Sequence, residues 1–231
     1  MCKLAFLLTF LPFGIDFYSF SLCFDILVGR ARFKRREGTM FIDYITLMLI
    51  NMSAGYVLLF FFVIRDLNDG DRRRWVPGLM IVGLIAFLCG LRMTWSWPLP
   101  GSYNIAYGEM SVLLGALFLG AALCFAMRWD PISLAIYAFF AGIAALLIGV
   151  RIICMGLTNA PLLSGLGFIC SGIPGVLIGV AIYCSKRLAP RLIVAVLLLV
   201  AAFIWAFIGY TAYWGHLAGF KDYSPPVVQP G

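Results

Sequence analysis

Apolar residues run through this chain in six long blocks, at 42–64, 76–95, 105–127, 132–154, 162–184 and 192–214. Each is about the 20 residues that a helix needs to cross the hydrocarbon core of a bilayer. Backbone groups in lipid must find partners within their own segment, so the pattern predicts six transmembrane helices rather than strands. The connections between blocks fall into two chemical sets. DLNDGDRRRW (66–75), RWDP (128–131) and SKRLAP (185–190) form one set; SWPLPGSYN (96–104) and GLTNAP (156–161) form the other.

Basic residues separate the two sets. Arg65, Arg72, Arg73, Arg74, Arg128, Lys186, Arg187 and Arg191 flank the first set, whereas the second contains no lysine or arginine. Excess positive charge marks cytoplasmic loops, which predicts a core with both ends outside, in the cytoplasmic membrane. Residues 1–39 do not fit this alternation. Asp16 and Asp25 interrupt the apolar stretch from Leu4 to Val28, and RARFKRRE (30–37) would invert every later loop if it set the topology. We therefore expect 1–39 to be an upstream extension preceding a natural start at Met40, the alternative being a genuine, flexible N-terminal segment, with the bundle over 40–217 and an extracytoplasmic tail over 218–231.

The bundle repeats itself. A shift of 59 positions lays Gly90-Leu91-Arg92 on Gly149-Val150-Arg151 and also matches Gly108 with Gly167, Gly120 with Gly179, Arg128 with Arg187 and Pro131 with Pro190. The predicted fold class is thus an all-α integral membrane protein: a six-helix bundle of three helical-hairpin pseudo-repeats about an axis along the membrane normal. Glycines such as Gly115, Gly142 and Gly172 permit close helix approach, and Pro174 predicts a kink or loosened turn in the fifth helix.

Composition agrees with this reading and narrows the chemistry. Hydrophobic residues make up 63% of the 231 residues and charged residues 12%, with a mean hydropathy of +1.01. No soluble domain of this length has interior enough for so much apolar surface. The formal charge of +7 lies at segment ends, where it sets topology, and does not imply nucleic acid. The seven cysteines form no CxxC pair, and five of them lie in apolar runs. His216 is the only histidine, which rules out a bis-histidine haem or multi-histidine metal centre within this chain. No His-Glu metal pair, nucleophile elbow or usefully spaced pair of carboxylates is present. Neither a cofactor nor an enzymatic activity is expected.

Ionisable groups inside a span cost roughly 2.5–3.5 kcal/mol at the bilayer centre, so each needs a reason. Asp43 begins the first helix, Glu109 lies near the start of the third, and Arg92 and Arg151 occupy the last turns of the second and fourth. The assigned topology gathers all four at the outer end, with Trp95, Trp97, Tyr103, Asn104 and Tyr107. Two readings are open. The arginines can snorkel to the interface amid an aromatic belt, with the carboxylates favoured by helix dipoles. Alternatively Glu109 pairs with Arg92 or Arg151, Asp43 finds another partner, and the group lines an outer vestibule. Asn51, two turns deeper than Asp43, bonds a neighbouring helix or faces a pore.

Three stretches carry a resemblance to a known family: MFIDYITLMLINMSAG (40–55), TWSWPLPGSYNIAYGEMSVLLGALFLGAAL (94–123) and YTAYWGHL (210–217). They resemble a family of bacterial and archaeal membrane proteins catalogued only as a domain of unknown function. Tyr107-Gly108, Leu113-Leu114-Gly115 and Phe118-Leu119, followed by the turn RWDP, are also similar to the urea and amide channels of bacteria. That second resemblance implies six helices in three hairpins, both termini outside, and a ring of protomers, commonly hexameric, each with its own pore for a small neutral solute. The expected function is a channel or facilitator for a small polar solute, urea-like or amide-like. The alternative is a non-catalytic structural or accessory subunit of a larger membrane complex. Expected partners are the lipid bilayer, further copies of the chain and a small polar solute.

Overall fold

A computed structural model describes residues 43–67, 71–184 and 186–222; the proposed extension over 1–39 and most of the tail lie outside the described residues. Six long helices follow one another: α1 (Tyr44–Arg65), α2 (Val76–Ser96), α3 (Met110–Met127), α4 (Ile132–Met155), α5 (Pro161–Tyr183) and α6 (Leu188–Gly219). A short 3-10 turn, Arg72–Trp75, leads into α2, and a π-helical turn, Asn104–Glu109, opens α3. All six spans are long and apolar enough to cross a membrane. Large apolar side chains stand outward at mid-helix, among them Phe140 (66% exposed) and Leu147 (67%) on α4, as lipid contact requires. Among the described residues the protein is an all-α, six-helix membrane bundle.

Local chemistry sets the boundaries. Asp43 caps α1, its Oδ1 accepting from the Thr46 backbone N–H at 3.1 Å. Pro161 opens α5, where its missing N–H costs nothing. Pro190 falls in the first turn of α6, so α6 begins before it, at Leu188, and runs on to Gly219, beyond the expected 214. Pro174 lies inside α5, which continues as one helix through it.

Consecutive helices pack side by side, and α6 returns to α1, closing a ring. The threefold repetition is visible in the packing. The most extensive interfaces are α2–α3, α4–α5 and α6–α1; those within the hairpins α1–α2 and α3–α4 are looser. The tight seams thus lie between successive hairpins. Their cause is a heptad of small residues. Gly83 and Gly90 on α2 correspond to Gly142 and Gly149 on α4, 59 residues on. A Cβ on Gly90 would lie 2.9 Å from the Gly108 carbonyl oxygen, and one on Gly149 would lie 2.8 Å from that of Gly165. These contacts correct one expected equivalence: the partner of Gly108 is Gly165, not Gly167. The link before α3 is longer than the link before α5, so the offset falls to 57 there. Gly167 instead meets Trp205 on α6. On α6 the same heptad reads Ala195, Ala202 and Gly209, all buried, with Gly209 against Leu49 and Ile50 of α1.

The basic end is tied together by hydrogen bonds. Asp66, only 4% exposed, accepts from Trp75 Nε1 at 2.8 Å and from Arg74, whose Nε lies at 3.0 Å. Arg191 on α6 donates to the last carbonyls of α1, Val63 (3.1 Å) and Ile64 (2.7 Å). Such cations complete the orphan carbonyls at a helix C-terminus and complement its dipole.

Candidate functional site

At the opposite end, the link 96–104 is a folded cap rather than an open loop. Trp97 ends α2 in the left-handed region (φ 46°), and Gly101 takes φ 61°. Asn104, 0% exposed, holds the turn: its Oδ1 accepts from Leu99 N–H at 3.2 Å, and its Nδ2 donates to the Leu99 carbonyl at 2.5 Å. The Tyr103 hydroxyl donates to the Leu157 carbonyl, joining this link to the one between α4 and α5. The wide π turn leaves Asn104, Ala106, Tyr107 and Gly108 inside, with Ile105 and Glu109 outside.

The structure does not assemble a charged vestibule here. Glu109 is exposed and meets neither Arg92 nor Arg151: the ion pairs among the described residues are Arg74–Asp66, His216–Asp43 and Lys221–Asp222. Arg92 and Arg151 are also exposed, and Arg92 Nε donates to the Tyr44 hydroxyl at 3.4 Å. Trp95 (78% exposed) and Trp97 point outward as an interfacial belt does. Asn51 is buried and donates from Nδ2 to the Val82 carbonyl at 2.9 Å, a tie between α1 and α2.

Asp43 does find a partner, His216 at the far end of α6. Its Oδ2 lies 2.6 Å from His216 Nδ1, which is also 3.3 Å from Thr46 Oγ1. The two residues are 173 positions apart, and nothing in the sequence pairs them until the ring closes. Burial pushes the Asp43 carboxyl up, but hydrogen bonds from His216 and Thr46 and the charge of His216 outweigh it and hold the carboxyl below its ordinary 3.8. The resulting stabilisation is fully present above the ordinary carboxylate value and is lost as pH falls through the lowered one. Asp43→Asn keeps an N-cap but removes the charge. We expect it to lower stability by about 1 kcal/mol at neutral pH, with wild type and variant converging in acid. Thermal unfolding in detergent at pH 7 and at pH 3 tests this; a gap that does not narrow in acid contradicts it.

The interior of the bundle holds a cavity of about 170 Å³, lined by α1, α3, α4 and α5 and the start of α6. On α1 the lining forms one continuous stripe, Met48, Met52, Tyr56, Leu59 and Val63, at the i, i+3/i+4 spacing of a single helix face. Of the residues grouped in the expected outer vestibule, Tyr107 alone lines it. The structure adds Tyr56, Ser111 and Ser171 as its other hydroxyl groups. Ser171 Oγ donates to the Gly167 carbonyl at 2.7 Å, accepts from Trp205 Nε1 at 3.0 Å and faces Tyr56. The Tyr107 hydroxyl faces Ser164, itself 3.1 Å from Thr158 Oγ1.

Aromatic rings narrow both ends of this interior. Tyr107 meets Phe168 edge-on at 5.5 Å between centroids, and Phe168 meets Trp205 at 5.0 Å. Toward the basic end, Phe62 and Phe125 lie 4.7 Å apart. Arg72, the one charged residue of the lining, places its guanidinium 6.0 Å from the Phe125 centroid and donates to the Leu67 carbonyl at 3.2 Å. Among the described residues, no group of three or more His, Cys, Asp or Glu could hold a metal ion. Sequence reasoning passed over Tyr56 and Ser171. Their signal was weak: isolated hydroxyls within apolar helices, whose inward direction only the packing defines.

The model of a family described as protein of unknown function (DUF981) matches residues 40–219. No curated protein and no solved structure matches the chain.

Proposed function

Because the chain belongs to this DUF981 family, whose description assigns no activity, we propose from its interior that it is a facilitator for a small, neutral, polar solute such as urea or a short amide. The supporting observation is the interior cavity, whose lining carries no carboxylate and a single charged residue, Arg72, at the basic end. The α1 stripe from Met48 to Val63 covers about 22 Å at ~1.5 Å per residue, much of a ~30 Å hydrocarbon core. The space takes several water molecules or a solute of a few heavy atoms. A neutral solute entering it can exchange water for hydrogen bonds to the Ser111 hydroxyl and to the hydroxyl oxygens of Tyr56 and Tyr107, whereas Ser171 is already engaged by Gly167, Trp205 and Tyr56. A cation would lose its hydration with no carboxylate in the lining to compensate. The resemblance to urea and amide channels supports the same solute class and a homo-oligomer in which every protomer carries its own path.

Stopped-flow uptake by proteoliposomes tests the proposal. Urea or short-amide flux should exceed that of lipid-only vesicles, and Leu114→Trp, which fills the cavity from its wall, should reduce it at least tenfold. Glu109→Gln should leave flux unchanged, since Glu109 faces away from the cavity. Wild-type flux no greater than that of lipid alone would overturn the reading. Purification in mild detergent is expected to return a homo-oligomer; foreign polypeptides in stoichiometric amounts would favour an accessory subunit instead.

A further inference from the structure

At the basic end, adjoining the interior cavity through the shared residues Arg72 and Phe125, lies a second pocket of about 460 Å³, lined also by Asp71, Arg73, Cys124, Arg128 and Trp129. The geometry points to a binding site for the phosphate headgroup of an anionic phospholipid. Among the described residues, three arginines line the space, against one aspartate. That carboxylate is already engaged, because Asp71 Oδ1 caps the 3-10 turn by accepting from the Arg73 backbone N–H at 3.2 Å. Arg74, next in sequence, is committed to Asp66, and nearby Asp130 accepts from its own loop, from Ile132 N–H at 2.9 Å. Arg72 is held by the Leu67 carbonyl and the face of Phe125, so one cation is already oriented. Arg73 and Arg128 are exposed.

Two further observations select a lipid rather than a free phosphate compound. Arg128 ends α3 in the left-handed region at φ 58°, a conformation that Gly156 takes after α4 at φ 61°. An arginine at a backbone position that favours glycine places a guanidinium at this rim despite local strain. Around the pocket, Leu123, Met127, Trp129 and Ile132 are all exposed, so the positive pocket opens beside apolar surface. A phosphodiester headgroup with its acyl chains on that surface satisfies both halves, and basic pockets between transmembrane helices bind such headgroups by this chemistry.

The test uses the full chain in nanodiscs of equimolar phosphatidylglycerol and phosphatidylcholine, with retained lipid measured by native mass spectrometry. Wild type should retain phosphatidylglycerol preferentially. The double variant Arg73→Gln, Arg128→Asn should reduce that preference roughly tenfold or more; asparagine tolerates the left-handed backbone. Arg73→Gln alone, at an exposed site where folding is not at issue, should give a smaller loss in the same direction. Arg187→Gln, a cation outside the pocket, should leave the preference intact. No preference in wild type, full preference in the variants, or an equal loss with Arg187→Gln would overturn the site. Displacement of the lipid by millimolar glycerol 3-phosphate would overturn the lipid assignment in favour of a soluble phosphate ester.

Discussion

Gly115→Leu is expected to leave little folded protein. A Cβ at this position would lie 2.7 Å from Phe87 Cα and 2.8 Å from Phe87 Cβ, with the Phe87 backbone nitrogen also in contact. Ordinary carbon contacts are ~3.5–4.0 Å, so α3 would have to withdraw from α2 by about 1 Å. Backbone cannot turn aside as a side chain does. In lipid no hydrophobic force drives helices together, so a seam is held largely by van der Waals contact and loses it along its whole length when forced apart. Gly83 and Gly90 would lose their fit to α3 as well. Overpacking of this kind costs roughly 3 kcal/mol or more, against a total stability of about 5–15 kcal/mol. Thermal unfolding in detergent should show a much lower midpoint, or too little monodisperse protein to measure. Gly215→Ala provides the contrast, because nothing lies within 4 Å of its Cβ position. Helix propensity alone should then hold or slightly raise the midpoint. Equal midpoints for the two variants would show that the seam does not carry the fold.

Asn104→Ala should be nearly as damaging, by a different route. It removes the acceptor for Leu99 N–H and the donor to the Leu99 carbonyl, in a turn that buries Asn104 completely. Each backbone group left without a partner costs ~1–3 kcal/mol, or about 2–6 kcal/mol for the pair. The loss should be local as well as global, with faster proteolysis within 97–103 than in wild type. Asn104→Asp separates the two bonds. It keeps the acceptor but sets a carboxylate oxygen against the carbonyls of Leu99 and Gly101, which accept from Asn104 in the wild type. Near neutral pH it should be worse than alanine, and it should recover on acidification, when the protonated acid can donate. A midpoint for Asn104→Ala within about 0.5 kcal/mol of wild type would reduce the clamp to an incidental contact.

The link TWSWPLPGSYN shows how far residue types alone carry. Its tryptophans, prolines and glycine identify a tight interfacial turn, and the structure has one. Its charged neighbours suggested a vestibule through Glu109 and the arginines, yet those side chains point outward. Position near a helix end says how deep a residue sits in the bilayer, but not which way round the helix it faces. Asn104 lay in the same suggested group and serves the turn itself. Asp43 needed a partner, and only closure of α6 on α1 brings His216 to it.

The sequence by itself determined the number of spans, their boundaries within a few residues, the basic end and the glycine periodicity. These depend on local quantities: the length of an apolar run, the cost of charge in lipid and the satisfaction of each helix's own backbone. The tertiary structure alone decided which residues face the cavity, and that the tightest seams join successive hairpins. The physical reason is that lipid and interior are both apolar. A helix in a soluble bundle carries a polar face that betrays its orientation, whereas these helices are apolar all round. Tyr56 and Ser171 therefore read no differently from lipid-facing residues until the ring is assembled.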